Sequence, residues 1–251
     1  MDEAELSVRR SQMGRSARAF LVCGRRPVQN QGPGYWVALS GAPSPDANMA
    51  LVDSNDSAVL ASALRQVEDS GFPTLFMLAG PGRRRELGTS WRYVGDMPFM
   101  ARALAGTDQL ADRRVRQARL DDFDVVSELV ASSFGLTQEI GDVVAEILKL
   151  GDDAVKIWLL IDDERAVSTV LTSIVEDAVC VWCMGTPPRC ARRGYGRALL
   201  ADVLARARLE GASIGLLGAT PAGRPLYDAT GWTTLEEWQL FLSSDSTQFG
   251  H

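Results

Sequence analysis

The stretch Val179–Ala207, VCVWCMGTPPRCARRGYGRALLADVLARA, constrains this chain more than any other. Val179 to Met184 is an uninterrupted apolar run of strand length, and Leu199, Leu200, Val203, Leu204 and Ala207 then recur at helical spacing. Between them lies an arginine-rich segment closed by Gly194-Tyr195-Gly196. The pattern predicts a buried strand that turns through a glycine loop into an amphipathic helix. A helix start presents unpaired N–H groups and the positive end of the helix dipole, and glycine lets an anion approach that backbone closely. With Arg189, Arg192, Arg193 and Arg197 around it, the loop is a candidate site for a phosphate-bearing ligand. A tight turn with merely solvated arginines is the competing reading.

Exclusion narrows the type of phosphate ligand. No Gly-Lys-Ser/Thr follows Gly196, which removes a Walker loop, and Leu199 stands where a dinucleotide fingerprint needs its third glycine. What remains resembles the pyrophosphate loop of the GNAT superfamily, the acyl-CoA-dependent N-acetyltransferases, whose pattern is Arg/Gln-x-x-Gly-x-Gly/Ala between a strand and a helix. Arg193-Gly194-Tyr195-Gly196-Arg197-Ala198-Leu199-Leu200 carries that resemblance. A second run, Leu226-Tyr227-Asp228-Ala229-Thr230-Gly231-Trp232, is similar to the family's Leu-Tyr-x-x-x-Gly-Phe close. The resemblance covers about 114–243 and has two departures. Ala191 stands where the motif has Arg or Gln, so that contact is either absent or supplied by Arg189 or Arg192; Thr220 and Gly223 stand where the family often has Asn and Ala.

The resemblance implies acetyl-CoA as co-substrate and direct attack of a primary amine on its thioester. It implies that the backbone of Met184, Gly185 and Thr186 pairs with pantetheine, with a backbone N–H near Met184 facing the oxyanion. Arg192, Arg193, Gly194, Tyr195, Gly196 and Arg197 would cradle the pyrophosphate, and Thr220 is counted among the cofactor-binding positions. Tyr227 is the candidate general acid, because a phenol stays protonated at pH 7 and can donate to a leaving thiolate. Glu176, at the turn before the strand, is the nearest candidate base. A GNAT-fold protein that binds CoA, or only a partner, without transferring anything is the alternative.

Other chemistries are limited by what the chain lacks. Its 251 residues contain one histidine, His251 at the C-terminus, which argues against Ser-His and Cys-His catalysis and histidine-ligated metals. The four cysteines, Cys23, Cys180, Cys183 and Cys190, form no spaced framework, and Cys180 and Cys183 would point to opposite faces of a strand. Free thiols and no metal are the expectation. A net charge of −6 argues against general nucleic-acid binding and favours a small-molecule or peptide amine as acceptor. Neither a membrane-length apolar run nor a signal-peptide pattern is present in this sequence, so a cytoplasmic location is expected.

In chain order, residues 1–19 show no sustained apolar period and read as either a helix or a tail. AFLVCG from Ala19 and YWVALSG read as strands around a loop at 24–34, followed by a strand at 48–52, a helix from Asp56 or Ser57 to Gly71, and a strand at 74–79. This order recurs. In the first copy, strand 48–52, helix, TLFMLAG, a Pro-Gly-Arg segment, Trp91 and a strand at 92–101 follow one another; in the second, strand 179–184, helix, SIGLLGA, Pro-Ala-Gly-Arg, Trp232 and a strand at 234–242 do so. The first copy has Asp53-Ser54-Asn55-Asp56 in place of the glycine loop, carboxylates that would repel a pyrophosphate. The expectation is an α/β (α+β) fold with a mixed, mostly antiparallel twisted sheet flanked by helices, GNAT-like and present as a tandem pair. Its halves are a degenerate domain at 1–110, suited to packing, homodimer formation or walling the acceptor site, and an N-acetyltransferase domain at 114–243. Chance similarity of two α/β segments is the alternative.

Overall fold

In a computed structural model of the chain, residues 1–22, 26–83, 86–104, 112–151 and 154–243 are described. Their packing divides into two compact units: Met1–Phe99 together with the C-terminal segment that begins at Thr234, and Met100–Thr233.

The first unit begins with α1 (Glu3–Leu21), capped by Asp2, whose carboxylate accepts from Glu5 N. No apolar period announces this helix because several positions it buries are polar, Arg10, Gln12 and Ser16 beside Met13, Ala17, Phe20 and Leu21. The expected strand at AFLVCG is therefore helical through Leu21, since a short apolar run reads alike as strand or buried helix. Cys23 and Gly24 lie outside the described residues. The expected loop at 24–34 contains a polar strand, β1 (Val28–Gly32), antiparallel to β2 (Tyr35–Leu39). Next come β3 (Asn48–Val52), α2 (Ser57–Ser70) and β4 (Leu75–Leu78). Asp56 caps α2 by accepting from Ala58 N, and Gly71 ends it in the left-handed conformation, φ 68°. Val67 and Ala63 of α2 close a core with Val37, Val52, Phe76 and Leu78.

A 13-residue strand, β5 (Trp91–Ala103), passes from the first unit into the second. There follow β6 (Val115–Gln117), α3 (Phe123–Phe134) and α4 (Gln138–Ala145), then the meander β7 (Val155–Asp162), β8 (Arg165–Val175) and β9 (Ala178–Gly185). The chain ends its described course with α5 (Tyr195–Leu209), β10 (Ile214–Gly218), α6 (Arg224–Asp228) and β11 (Thr233–Ser243). Leu199, Leu200, Val203 and Leu204 of α5 pack on Val179, Val181, Val170 and Leu217, which is the apolar face the helical spacing predicts.

Strand order is β1-β2-β3-β4-β11-β5 in the first unit and β5-β10-β9-β8-β7-β6 in the second. The parallel pairs β3/β4 and β9/β10 are βαβ crossovers, and the pairs β1/β2, β2/β3, β6/β7, β7/β8 and β8/β9 are antiparallel. The fold is thus mixed and mostly antiparallel, as the sequence implies. The closing strands are not distributed as the repeat suggests. β11 pairs with β4, Leu240 opposite Met77, so it belongs to the first unit. The end of β5 stands beside β10, where Leu104 N donates to Ser213 O at 2.9 Å. Strand partners are chosen by contacts distant in sequence, and β5 is long enough to serve both units. The units therefore change over at Phe99/Met100 and Thr233/Thr234, whereas the sequence puts the change between 110 and 114.

Candidate active site

The site of the second unit starts from a separation of two strands. Parallel β9 and β10 are paired from Ala178–Ile214 to Cys180–Leu216, and β9 then continues through Val181–Gly185 without that partner. On its other side β9 slips against β8: Leu171 faces Trp182, but Thr169 faces Gly185, so Cys183 and Met184 together oppose one residue. Cys183 adopts φ 46°, the left-handed region that β-bulges use to fit an extra residue. The bulge therefore falls on the part of β9 that runs beyond its pairing with β10.

Beyond the bulge the chain is pinned. Ser168 Oγ donates to the Gly185 carbonyl at 2.8 Å, and Thr186 Oγ1 lies 2.9 Å from Ser168 Oγ. Because the serine proton is committed to Gly185, the threonine hydroxyl is the donor of that second bond. Pro188–Cys190 form one 3-10 turn, and Arg192 (φ 66°) and Gly194 (φ 81°) are left-handed. The first helical bond of α5 runs from Ala198 N to Gly194 O at 3.0 Å, so the N–H groups of its first turn have no intrahelical acceptor. Gly196 sits against this constellation: a Cβ there would lie 3.4 Å from both Met184 Cε and Thr186 Oγ1. Arg192, Arg193 and Arg197 are exposed around the helix start. Arg189 instead reaches Glu128 of α3, 2.9 Å away across the surface.

The predicted site residues divide between those that meet here and those that do not. Tyr227, on α6, is buried, packs edge-on to Trp232 at 5.7 Å and directs its hydroxyl to Met184 Sδ at 3.8 Å, at the bulge. Burial holds this phenol above the ordinary tyrosine range, so it is a proton donor and not a base at neutral pH. Glu176 is not brought to it. Its left-handed turn (φ 57°) precedes the start of β9, roughly 25 Å along the strand from Met184 at the usual rise per residue. Thr220 builds the turn into α6, with Oγ1 accepting from Gly223 N at 3.2 Å and its carbonyl from Arg224 N at 2.9 Å. Tyr195 turns its ring into the core, and its hydroxyl donates to Asp162 Oδ2 at 2.5 Å, which raises the phenol above its ordinary range. It is a strut under the loop, and Asp162 is the partner that sequence spacing does not reveal.

Cys180 is buried, Cys183 and Cys190 are half-buried, and none of the three is in a disulfide. Among the described residues there is no cluster of metal-ligating side chains, and no helix is long and apolar enough to cross a membrane.

The corresponding place in the first unit is built differently. Parallel β3 and β4 stay paired to Val52–Leu78, and Ala79 N extends the ladder by donating to Val52 O at 2.9 Å. No gap opens between them. Arg10 of α1 is buried beside the strand ends, in two 2.7 Å bonds to Glu236, one of 2.6 Å to Glu3 and a 3.4 Å contact with Asp53. These partners keep the guanidinium charged despite burial, while burial raises the Asp53 carboxyl. Gly80 (φ 49°) admits this arrangement, since a Cβ there would come within 2.5 Å of Arg10 Nη2. The cleft of about 700 Å³ above it is lined by Glu3, Asp53 and Asp56 together with Arg10, a balance of charge unfavourable to phosphate.

Residues 123–232 match the model of the acetyltransferase (GNAT) family. Solved structures similar to the chain include a GCN5-related N-acetyltransferase from Kribbella flavida, with 17% identity, a TM-score of 0.63, and 94% of this chain and 95% of that one covered. Another, from Sphaerobacter thermophilus, has 15% identity and a TM-score of 0.55 over 87% of this chain and 79% of that one. Saccharomyces cerevisiae N-myristoyltransferase with bound myristoyl-CoA shares 10% identity at a TM-score of 0.56, over 87% of this chain and 62% of that one. At these identities the likeness is one of fold. No curated protein sequence matches the chain.

Proposed function

We propose that the chain, whose residues 123–232 match the acetyltransferase (GNAT) family model, transfers an acetyl group from acetyl-CoA to a primary amine, with Tyr227 as general acid. One observation carries the reading: the bulge at Cys183–Met184, where β9 runs on past its pairing with β10, has the Tyr227 hydroxyl on Met184 and Gly196 of the α5 start against Met184 and Thr186. The peptide groups of Met184, Gly185 and Thr186 supply donors and acceptors for the pantetheine amides. The N–H groups at the start of α5, with Arg192, Arg193 and Arg197, suit the pyrophosphate.

In the reaction the amine nitrogen forms a bond to the thioester carbonyl carbon, and the carbon–sulfur bond breaks. A backbone N–H near Met184 stabilises the negative charge that develops on the carbonyl oxygen. Tyr227 gives its proton to the departing sulfur and recovers one from solvent, while the attacking nitrogen loses its extra proton to solvent. Glu176 has no part in this scheme. We read the first unit as a degenerate copy of the fold, a reading supported by its closed β3/β4 ladder and by Arg10 in place of an anion loop.

A second reading, CoA binding without transfer, is kept open by the departures at Ala191, Thr220 and Gly223; Arg189 is engaged by Glu128, which leaves Arg192 to supply the contact of the first motif position. Calorimetric titration with acetyl-CoA, followed by a panel of amines read by thiol release, separates the two. Absence of heat or thermal shift at millimolar acetyl-CoA would falsify both, and binding without thiol release from any amine supports the second.

A further inference from the structure

The arginine loop is tied to the sheet through one buried tyrosine. Tyr195 is the middle residue of Gly194-Tyr195-Gly196 and the first residue of α5. Its side chain leaves the loop, joins the core beside Leu199, and ends in the 2.5 Å bond to Asp162 Oδ2. Asp162 is itself held firmly. It closes the β7–β8 hairpin opposite Arg165, and both intervening residues, Asp163 (φ 47°) and Glu164 (φ 62°), are left-handed, as in the tight type I′ turn that matches strand twist. Arg114, next to β6, approaches the other carboxylate oxygen at 3.5 Å. The carboxylate is thus fixed by a rigid hairpin and a cation before Tyr195 meets it. Arg192 and Gly194 beside it are exposed, and a Cβ on Gly194 would touch nothing within 4 Å.

We propose that Asp162 and Tyr195 are positioning residues for the phosphates of the acyl donor: their hydrogen bond sets the left-handed loop at Gly194 and the direction of the N–H groups at the start of α5. The proposal rests on the acetyl-CoA reading above. Neither side chain touches the donor; they act through the loop backbone and through Arg193, which also interacts with the Tyr195 hydroxyl. A preformed anion nest gains affinity because its ordering does not have to be met at binding. Loss of the bond should therefore weaken recognition of the phosphates while leaving the bulge at Met184 intact.

Calorimetry on the full chain tests this with two probes, CoA and pantetheine, which lacks the phosphates. Tyr195→Phe retains the buried ring and Asp162→Ala removes the acceptor while keeping Asp163 and Glu164 of the hairpin turn, so both should fold, as checked by thermal denaturation. Each is expected to raise the Kd for CoA about tenfold, within what one hydrogen bond to a charged group supplies, and to leave pantetheine binding unchanged. The double variant should be no weaker than the worse single one, because both remove the same bond. Unchanged CoA affinity in both single variants, or equal weakening toward both probes, would overturn the proposal. A wild-type chain that fails to bind CoA at all would instead overturn the acetyl-CoA reading, and the positioning role with it.

Discussion

Replacing Tyr227 by phenylalanine removes one oxygen from the centre of the proposed chemistry. The ring would stay where it is, 7% exposed and edge-on to Trp232, so its apolar burial and aromatic contact persist. The lost hydroxyl has Met184 Sδ at 3.8 Å as its partner, and a thioether is a weak acceptor. The folding cost should be below about 1 kcal/mol, equivalent to a fall in Tm of less than about 5 °C. The rate effect should be far larger, since a positioned general acid contributes about 10²- to 10⁴-fold. Steady-state thiol release should show kcat falling by that factor, with the affinity for acetyl-CoA changed less than about twofold. A kcat within about threefold of wild type would refute the acid role, and a Tm loss well beyond the stated range would make the tyrosine mainly a packing residue.

The same burial has a pH consequence. The unfolded chain ionises this phenol near pH 10, while the folded chain holds it neutral to higher pH because burial disfavours the phenolate. Above about pH 10 the unfolded state then binds fewer protons than the native one, so stability falls as pH rises; Tyr227→Phe should lack that component in denaturation curves.

Three further outcomes are expected. Gly194→Ala places a side chain at φ 81° in open space, so its cost is backbone strain of roughly 1–2 kcal/mol, and CoA affinity measured by calorimetry should fall; unchanged affinity would remove the left-handed turn from the binding argument. Arg10→Met leaves Glu236 and Asp53 as buried carboxylates without their cation, and urea denaturation should register a loss of about 3–5 kcal/mol, a loss under about 1 kcal/mol contradicting the ion-pair account. Glu176→Gln should leave kcat and KM unaltered, because the residue lies at the far end of β9 from Met184; a large fall in kcat would restore it as a base.

Signals that operate within a few residues were legible from the chain alone. The apolar run of β9, the helical spacing of α5, the Asp56 cap and Gly71 stop of α2, and the turn glycines before α5 are local, and the structure has each in place. The two runs that carry the family resemblance, one on either side of β10, both lie within the residues that match the acetyltransferase (GNAT) family model. Other features depend on residues far apart in sequence. Helix α1 was obscured because its buried face carries Arg10, whose carboxylate partner Glu236 lies 226 residues away. The pairing of β11 with β4, the gap between β9 and β10 and the bulge at Cys183–Met184 are questions of partner and register, which side-chain alternation within one strand does not specify. Nothing in the linear sequence brings Asp162 to Tyr195, 33 residues on. The sequence by itself therefore determined the strand, glycine loop and helix, and the resemblance of residues 123–232 to the acetyltransferase (GNAT) family model. Tertiary structure alone decided which strand edge stays open, which tyrosine faces it and which is buried as a strut, because those outcomes follow from long-range packing and strand register.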